Sequence, residues 1–184
     1  MLINKWGIDN TWTLFLDRDG VINERIFGGY VTKISEFVFL ENSVQAIATL
    51  SNFFGLTFVV TNQQGIGKGI MTEGNLLDIH TYMCNEIVKN GGMINKCFFA
   101  SNLIGDENDF RKPKPKMGEL AKFEFPKVNF ERSLMVGDTD TDIEFGKNLG
   151  MRTVRIKTEE PIGIEADLTV SSLFELSKKI LYEV

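Results

Sequence analysis

The chain has 184 residues, with 20 Lys and Arg against 25 Asp and Glu, so its formal net charge is −5. This mild acidity argues against nucleic acid or an anionic membrane as the main partner, because both require clustered positive charge. No apolar run approaches the ~20 residues of a membrane span, and residues 1–6 lack the basic start and apolar core of a signal peptide. We therefore expect a cytoplasmic protein with one domain over residues 1–184.

Apolar segments alternate with amphipathic segments along the chain, which predicts a parallel sheet covered by helices. The predicted strands are, in chain order, residues 11–16, 56–60, 96–101, 133–137 and 152–156, with a short edge strand at 168–170. The predicted helices are residues 41–54, 72–89, a stretch after Pro115, 143–149 and 171–182. The expected fold class is α/β, with a Rossmann-like parallel sheet of about five strands flanked by helices and a long ordered excursion at residues 23–40.

Histidine and cysteine are too scarce for several kinds of chemistry. The chain has one histidine, His80, and two cysteines, Cys84 and Cys97. These small numbers exclude chemistry that needs two imidazoles. They also exclude a disulfide framework and a four-thiolate zinc site. Acidic residues must therefore carry out any catalysis.

Polar residues follow three of the predicted strands at the point where each strand ends. They are Asp17 and Asp19 after the first strand, Thr61 and Asn62 after the second, and Asp138 and Asp142 after the fourth. Ligands of parallel sheets bind at the carboxyl ends of the strands. The pattern predicts that these carboxylates and hydroxyl groups meet at one edge of the sheet.

The first of these segments, Asp17-Arg-Asp19-Gly20, has two carboxylates two residues apart. An extended pair at this spacing points to the same side, so both carboxylates can reach one phosphate or metal. One can act as a nucleophile and form an aspartyl-phosphate, and the other can serve as general acid and base. Taken alone, the segment is also consistent with an ordinary turn, since Asp and Gly are common turn residues.

Three further segments offer groups that suit a phosphate or a hard cation. Residues 61–65 supply a hydroxyl, side-chain amides and backbone N–H groups, and residues 111–115 supply Arg111, Lys112 and Lys114 to neutralise phosphoryl charge. Residues 137–142 supply further carboxylates, which are suitable ligands for Mg²⁺. Together these segments predict a site for metal-assisted phosphate chemistry.

The four segments, in this order, resemble the four motifs of the haloacid dehalogenase superfamily. Some segments resemble one subgroup of this superfamily, the heptose-bisphosphate phosphatases, with histidinol-phosphate phosphatases as close relatives. These segments are residues 17–23, 29–31, 37–39, 60–66, 111–115 and 136–138. It covers residues 11–176. The resemblance implies a haloacid dehalogenase-like fold with no large cap domain, in which substrate contacts fall to residues 23–40 and 65–71.

The resemblance also implies roles for the acidic residues. Asp17 would be the nucleophile and a metal ligand, and Asp19 would be the general acid and base, with its backbone carbonyl bound to Mg²⁺. Asp138 would be a metal ligand, directly or through water. Asp142 would hold the metal ligands in position without binding the metal itself.

The remaining roles implied by the resemblance concern the substrate. Thr61, Asn62 and Gln63 would bind the transferring phosphoryl group, and Arg111 would contact substrate. Lys112 would be the cation paired with Asp17, with Lys114 as the alternative that spacing alone does not separate. The relatives usually carry a structural zinc held by cysteines and a histidine, but residues 100–110 contain neither, so we expect no structural zinc.

These inferences predict a Mg²⁺-dependent phosphomonoester hydrolase that forms an aspartyl-phosphate. The substrate favoured by the resemblance is D-glycero-D-manno-heptose 1,7-bisphosphate, with histidinol phosphate next and another small sugar phosphate as a further option. Transfer to an acceptor other than water uses the same residues and stays open, and a phosphate-binding or interaction domain is the non-enzyme alternative. The expected partner is a small phosphorylated metabolite, with no nucleic acid and no membrane, and we expect a monomer while leaving oligomers open.

Overall fold

A computed structural model describes residues 5–106 and 109–181, and its centre is a six-stranded parallel sheet. The strands are β1 (Thr13–Leu16), β2 (Leu56–Asn62), β3 (Lys96–Ala100), β4 (Ser133–Gly137), β5 (Arg152–Ile156) and β6 (Leu168–Val170). Their order in the sheet is β3-β2-β1-β4-β5-β6. The predicted parallel sheet is confirmed, and the short segment at Leu168–Val170 forms its sixth, outer strand.

Helices cover both faces of the sheet. They are α1 (Ser43–Phe53), α2 (Gln64–Gly67), α3 (Glu73–Lys89), α4 (Lys116–Glu124), α5 (Asp140–Asn148) and α6 (Leu173–Leu181). Alternate strand residues point to opposite faces. Leu14 and Leu16 therefore join the larger core with α1, α3 and α6, whereas Phe15 joins the smaller core with α4 and α5.

Several element boundaries differ from those predicted. Helix α5 begins at Asp140, three residues before the predicted start, because the side chain of Asp142 accepts hydrogen bonds from the backbone N–H and the hydroxyl of Thr139. Acidic residues in the first turn also favour a helix start through the helix dipole. The predicted end of the last helix at Tyr182 lies outside the described residues, as do residues 1–4 of the N-terminal segment.

The order of the strands places a crevice between β1 and β4. Connections from β1 run outward through β2 to β3, whereas those from β4 run through β5 to β6. Ligands in such sheets bind at the carboxyl ends of the strands where the order reverses. Asp17 follows β1 and Asp138 follows β4, so the topology brings these two carboxylates to the reversal point.

The excursion at residues 23–40 lies against this edge of the sheet. Its start is held by Asn23, which forms isolated bridges with Asp19 and Phe39, and a 3₁₀ turn occupies Ile34–Glu36. In the described part of the chain, no large cap domain covers the carboxyl edge. This segment and short loops after the strands therefore form the walls above the crevice. None of the helices described is long and apolar enough to cross a lipid bilayer.

Candidate active site

A buried lysine lies at the floor of the crevice. The Lys112 ammonium is 2.6 Å from Asp17 Oδ1 and 2.6 Å from Asp142 Oδ1, and it donates to the Val60 carbonyl at 2.7 Å. An ammonium has three protons, so each has an acceptor. Burial alone would lower the pKa of Lys112, but the two carboxylates raise it to about 12, so the lysine is a permanent cation.

The structure separates the two lysines that spacing alone left equivalent. Lys114 is exposed and pairs with Asp109 at 3.1 Å, away from the crevice. Lys112 is turned inward because Asn62 holds its backbone with two hydrogen bonds. Asn62 Oδ1 accepts from the Lys112 N–H at 2.9 Å, and Asn62 Nδ2 donates to the Lys112 carbonyl at 3.1 Å. The geometry therefore favours Lys112 as the cation beside Asp17.

Three carboxylates converge beside this lysine. Oxygens of Asp17, Asp138 and Asp142 lie within 4.8 Å of one another. Gly137 permits the close approach of Asp142, since a Cβ at this glycine would lie 2.1 Å from the Asp142 Cβ. Burial raises the pKa of Asp17 to about 8, against a lowering by Lys112, and burial also raises the pKa of Asp138 to about 6. A cation at this point would favour the ionised form of both carboxylates.

The donor set fits Mg²⁺. Asp138 Oδ1 is buried and has no hydrogen-bond partner among the described groups, so one oxygen of this carboxylate is open to a cation. Carboxylate oxygens are the ligands that Mg²⁺ prefers. Both oxygens of Asp142 are already engaged, by Lys112 and by Thr139, which agrees with a supporting position for Asp142.

Asp19, the expected general acid and base, is held by donors on three sides. The Arg18 guanidinium bonds both of its oxygens at 2.9 Å, Asn23 Nδ2 donates to Oδ1 at 2.9 Å, and Gln63 Nε2 donates to Oδ2 at 2.8 Å. Burial would raise the pKa of Asp19, but these donors, with Arg18 foremost, lower it below its ordinary value. The carboxylate is therefore ionised and fixed in position before substrate arrives.

The residues expected to bind the phosphoryl group occupy two different environments. Thr61 and Asn62 line the cavity, whereas Gln63 is not among its lining residues. Gln63 Nε2 donates to Thr61 Oγ1 at 2.9 Å and to Asp19. Because the Thr61 oxygen accepts this bond, its own proton is available to a phosphate oxygen. The structure thus places Gln63 in contact with two site residues instead of on the cavity wall, and the Asn62 side chain is engaged with the Lys112 backbone.

A cavity of about 420 Å³ opens above these groups. Its wall includes the predicted Arg111 and several residues that the sequence analysis did not single out. Two of these are Arg25 and Glu160, and the excursion also contributes Tyr30 and Val31 from the 29–31 motif. The expected substrate loop at residues 23–40 thus reaches the cavity, whereas no residue of the other expected loop, 65–71, lines it, and only the preceding Gln64 does.

Two buried arginines behind the cavity also escaped the sequence analysis. Arg18 is fully buried against Asp19, and Arg155 from β5 donates to the Asp138 carbonyl at 2.8 Å and to Asp140 at 2.6 Å. Arg18 was visible in the sequence between two aspartates, but its pairing with Asp19 was not predicted. No sequence signal marked Arg155, because its acceptors lie 9–17 residues away in the chain.

Cys97 lies in β3, and both Cys97 and Cys84 pack against the larger core. His80 is a buried packing residue, with its ring 6.2 Å from that of Phe99. Neither cysteine lines the cavity, and the absence of a structural zinc stays a prediction.

The chain is similar to proteins of a known family. A HAD-hydrolase-like family model matches residues 109–166. The chain is similar to the D-glycero-D-manno-heptose-1,7-bisphosphate 7-phosphatase of Chlorobaculum tepidum, with 31% identity over 162 residues that cover 82% of this chain and 81% of the relative. It is also similar to the D-glycero-alpha-D-manno-heptose-1,7-bisphosphate 7-phosphatase of Burkholderia mallei, with 37% identity over 147 residues and 76% of each chain covered.

Solved structures share the fold. The D,D-heptose 1,7-bisphosphate phosphatase from B. bronchiseptica, complexed with magnesium and phosphate, superposes with a TM-score of 0.82 at 24% identity and covers 94% of this chain and 99% of its own. The D,D-heptose 1,7-bisphosphate phosphatase from Burkholderia thailandensis superposes with a TM-score of 0.68 at 24% identity, covering 93% and 99%. At this identity the likeness establishes the fold alone.

Proposed function

The chain belongs to the HAD-like hydrolases, in the group of the heptose-bisphosphate phosphatases, and from this premise we propose that it removes the 7-phosphate of D-glycero-D-manno-heptose 1,7-bisphosphate. As a member of that group it is a phosphoric monoester hydrolase. The observation that carries the proposal is the meeting of three buried carboxylates with the Lys112 ammonium at the reversal point of the sheet.

We infer the following division of roles. Asp17 attacks phosphorus, the bond between phosphorus and the C7 oxygen breaks, and an aspartyl-phosphate forms. The leaving oxygen takes a proton from Asp19, which must acquire that proton before the step. Asp19 then takes a proton from water as the water attacks the aspartyl-phosphate, which releases phosphate and restores Asp17. Its fixed carboxylate suits the second step in particular, because it is ionised in the resting site.

Asp17, Asp138 and the Asp19 backbone carbonyl would hold Mg²⁺, with Asp142 in support. When bound, the ion supplies positive charge that reduces repulsion between the phosphate and the attacking carboxylate. Lys112 adds a second fixed positive charge beside Asp17. The Thr61 hydroxyl donates a hydrogen bond to a phosphoryl oxygen. Arg111 also contacts the phosphoryl oxygens. Each of these residues comes from a single chain, so a monomer is sufficient, and we infer that it acts in the cytoplasm on a small phosphorylated sugar.

Phosphate release from a panel of substrates tests this proposal. The panel contains heptose 1,7-bisphosphate, histidinol phosphate and simple sugar phosphates, each with Mg²⁺ and with EDTA. We expect Mg²⁺-dependent release that is fastest with the heptose bisphosphate, with heptose 1-phosphate as the product by ³¹P NMR. Preference for histidinol phosphate would overturn the substrate and keep the chemistry.

The variant Asp17→Asn separates catalysis from binding. It removes the nucleophile while keeping nearly the same side-chain volume, and we expect no measurable turnover from a folded protein. Substantial turnover by the purified variant would refute the aspartyl-phosphate. If wild type released no phosphate from any substrate while Mg²⁺ bound, the non-enzyme alternative would replace the proposal. A glycerol or sugar acceptor added to the assay distinguishes transfer from hydrolysis by the phosphorylated product it yields.

A further inference from the structure

The cavity wall contains three cationic side chains among the described residues, and one of them is fully engaged. Lys112 has an acceptor for each of its three protons in Asp17, Asp142 and the Val60 carbonyl. The other two are Arg111 and Arg25. A substrate with two phosphate groups carries more negative charge than the reacting phosphate alone, so an additional cation near the cavity is expected to contact the second group.

The Arg25 guanidinium is held in the cavity wall, but some of its hydrogen-bond donors are not used. Its Nη1 is 3.3 Å from Asp138 Oδ2 and 3.2 Å from Glu160 Oε1, and both distances exceed the roughly 2.7–2.9 Å typical of charge-assisted hydrogen bonds. Both ion pairs use Nη1, so within the described chain the donors on Nη2 and Nε have no acceptor. The guanidinium carbon also lies 5.6 Å from the ring centre of Phe27. Arg25 is thus positioned in advance and keeps donors for a ligand.

The two arginines lie on different sides of the nucleophile. The segment with Arg111 is bound to Asn62 at the end of β2, whereas Arg25 contacts Asp138 after β4 and Glu160 after β5. Asp17 follows β1, which lies between β2 and β4 in the sheet. Adjacent strands are ~4.8 Å apart, so the ends of β2 and β5 are separated by roughly 14 Å. This width accommodates an elongated substrate across the nucleophile.

We propose that Arg25 binds the anionic group of the substrate that is not cleaved, and thereby favours bisphosphates over monophosphates. The inference rests on the proposed function, because it takes the reacting phosphate to lie at Asp17. A guanidinium offers a planar fork of donors that matches two phosphate oxygens, whereas a lysine offers a point charge. Asp138 and Glu160 hold the fork at the wall, so little side-chain freedom is lost when the second phosphate binds.

The test compares two substrates that are cleaved at the same position, heptose 1,7-bisphosphate and heptose 7-phosphate. In Arg25→Gln we expect the ratio of their kcat/KM values to fall about 10- to 100-fold, the range for loss of one charge-assisted contact. Arg25→Lys keeps the charge without the fork and should give a smaller fall. Lys33→Gln is the matched control, because Lys33 is an exposed cation of the same excursion that pairs with Glu36 away from the cavity. Its ratio should equal that of wild type.

Calorimetry with heptose 1-phosphate, which keeps only the uncleaved phosphate, gives a readout independent of turnover. We expect Arg25→Gln to weaken its binding about 10-fold or more, with Lys33→Gln unchanged. An equal loss of kcat/KM on both substrates, or unchanged heptose 1-phosphate binding, would overturn the role of Arg25. If wild type cleaved neither substrate, the proposed function would fail, and the calorimetric comparison would still decide whether Arg25 binds the anion.

Discussion

Replacing Lys112 by methionine removes the cation from the floor of the site while keeping most of its length. Asp17 and Asp142 then lose an ion pair of 2.6 Å each, and both are buried. Breaking a buried ion pair by removing one partner costs about 3–5 kcal/mol, because an uncompensated charge is left in the interior. For a chain of this size each kcal/mol shifts Tm by roughly 2–4 °C, so we expect Tm to fall by about 6–20 °C. Turnover should be lost as well, since the charge beside the nucleophile is gone.

The loss of stability in Lys112→Met should increase with pH. Burial already raises the pKa of Asp17 in the fold, and without the lowering by Lys112 it rises further above that of the unfolded chain. A group with a raised folded pKa contributes stability at low pH and loses it as pH rises through the folded pKa. Because the wild-type Asp17 pKa is already about 8, the stabilities of the two proteins diverge only above this pH, so the deficit of Lys112→Met against wild type should be larger at pH 9.5 than at pH 8.

Urea unfolding at both pH values measures this deficit. Lys114→Met is the matched control, because Lys114 is an exposed lysine of the same segment whose pairing with Asp109 is worth less than about 1 kcal/mol. A deficit below 1 kcal/mol for Lys112→Met at pH 8, or a larger effect of Lys114→Met on turnover, would refute the placement of Lys112 at the site.

Three further changes test neighbouring features. Gln63→Leu removes the donor shared by Thr61 and Asp19, so kcat should fall about 10- to 100-fold with little change in KM, and an unchanged kcat would contradict this positioning role. His80→Leu addresses acid stability: burial lowers the His80 pKa to about 3 from 6.5, so wild type should lose about 2 kcal/mol more than the variant between pH 7 and pH 5, and equal losses in urea unfolding would count against this. Gly20→Ala would place a Cβ 2.3 Å from Asp138 Oδ2 at a φ of +90°, and we expect calorimetry to show Mg²⁺ binding weakened about 10-fold or more. Gly28→Ala is its control, with φ +70° and open space around the added carbon, and equal Mg²⁺ affinity in the two variants would contradict the reasoning.

The local pattern of the sequence was enough to predict the sheet and the acidic part of the site. Buried parallel strands are continuous apolar runs, so their extents and the polar residues that follow them can be identified in the sequence. Asp17, Asp138 and Asp142 follow two such strands, and parallel strands end at one edge whatever their order. This physical constraint explains why those carboxylates could be placed together without coordinates.

The tertiary structure decided which other side chains face the site. The sequence alone does not distinguish Lys112 from Lys114. Only the pairing of Asn62 with the Lys112 backbone turns Lys112 toward the site. Gln63 is not among the residues that line the cavity, and Arg25 meets Asp138 from 113 residues away. Strand periodicity depends on neighbours along the chain, whereas these orientations depend on the packing of segments distant in sequence. The sequence by itself therefore determined where the carboxylates lie, and the fold determined which cations and donors reach them.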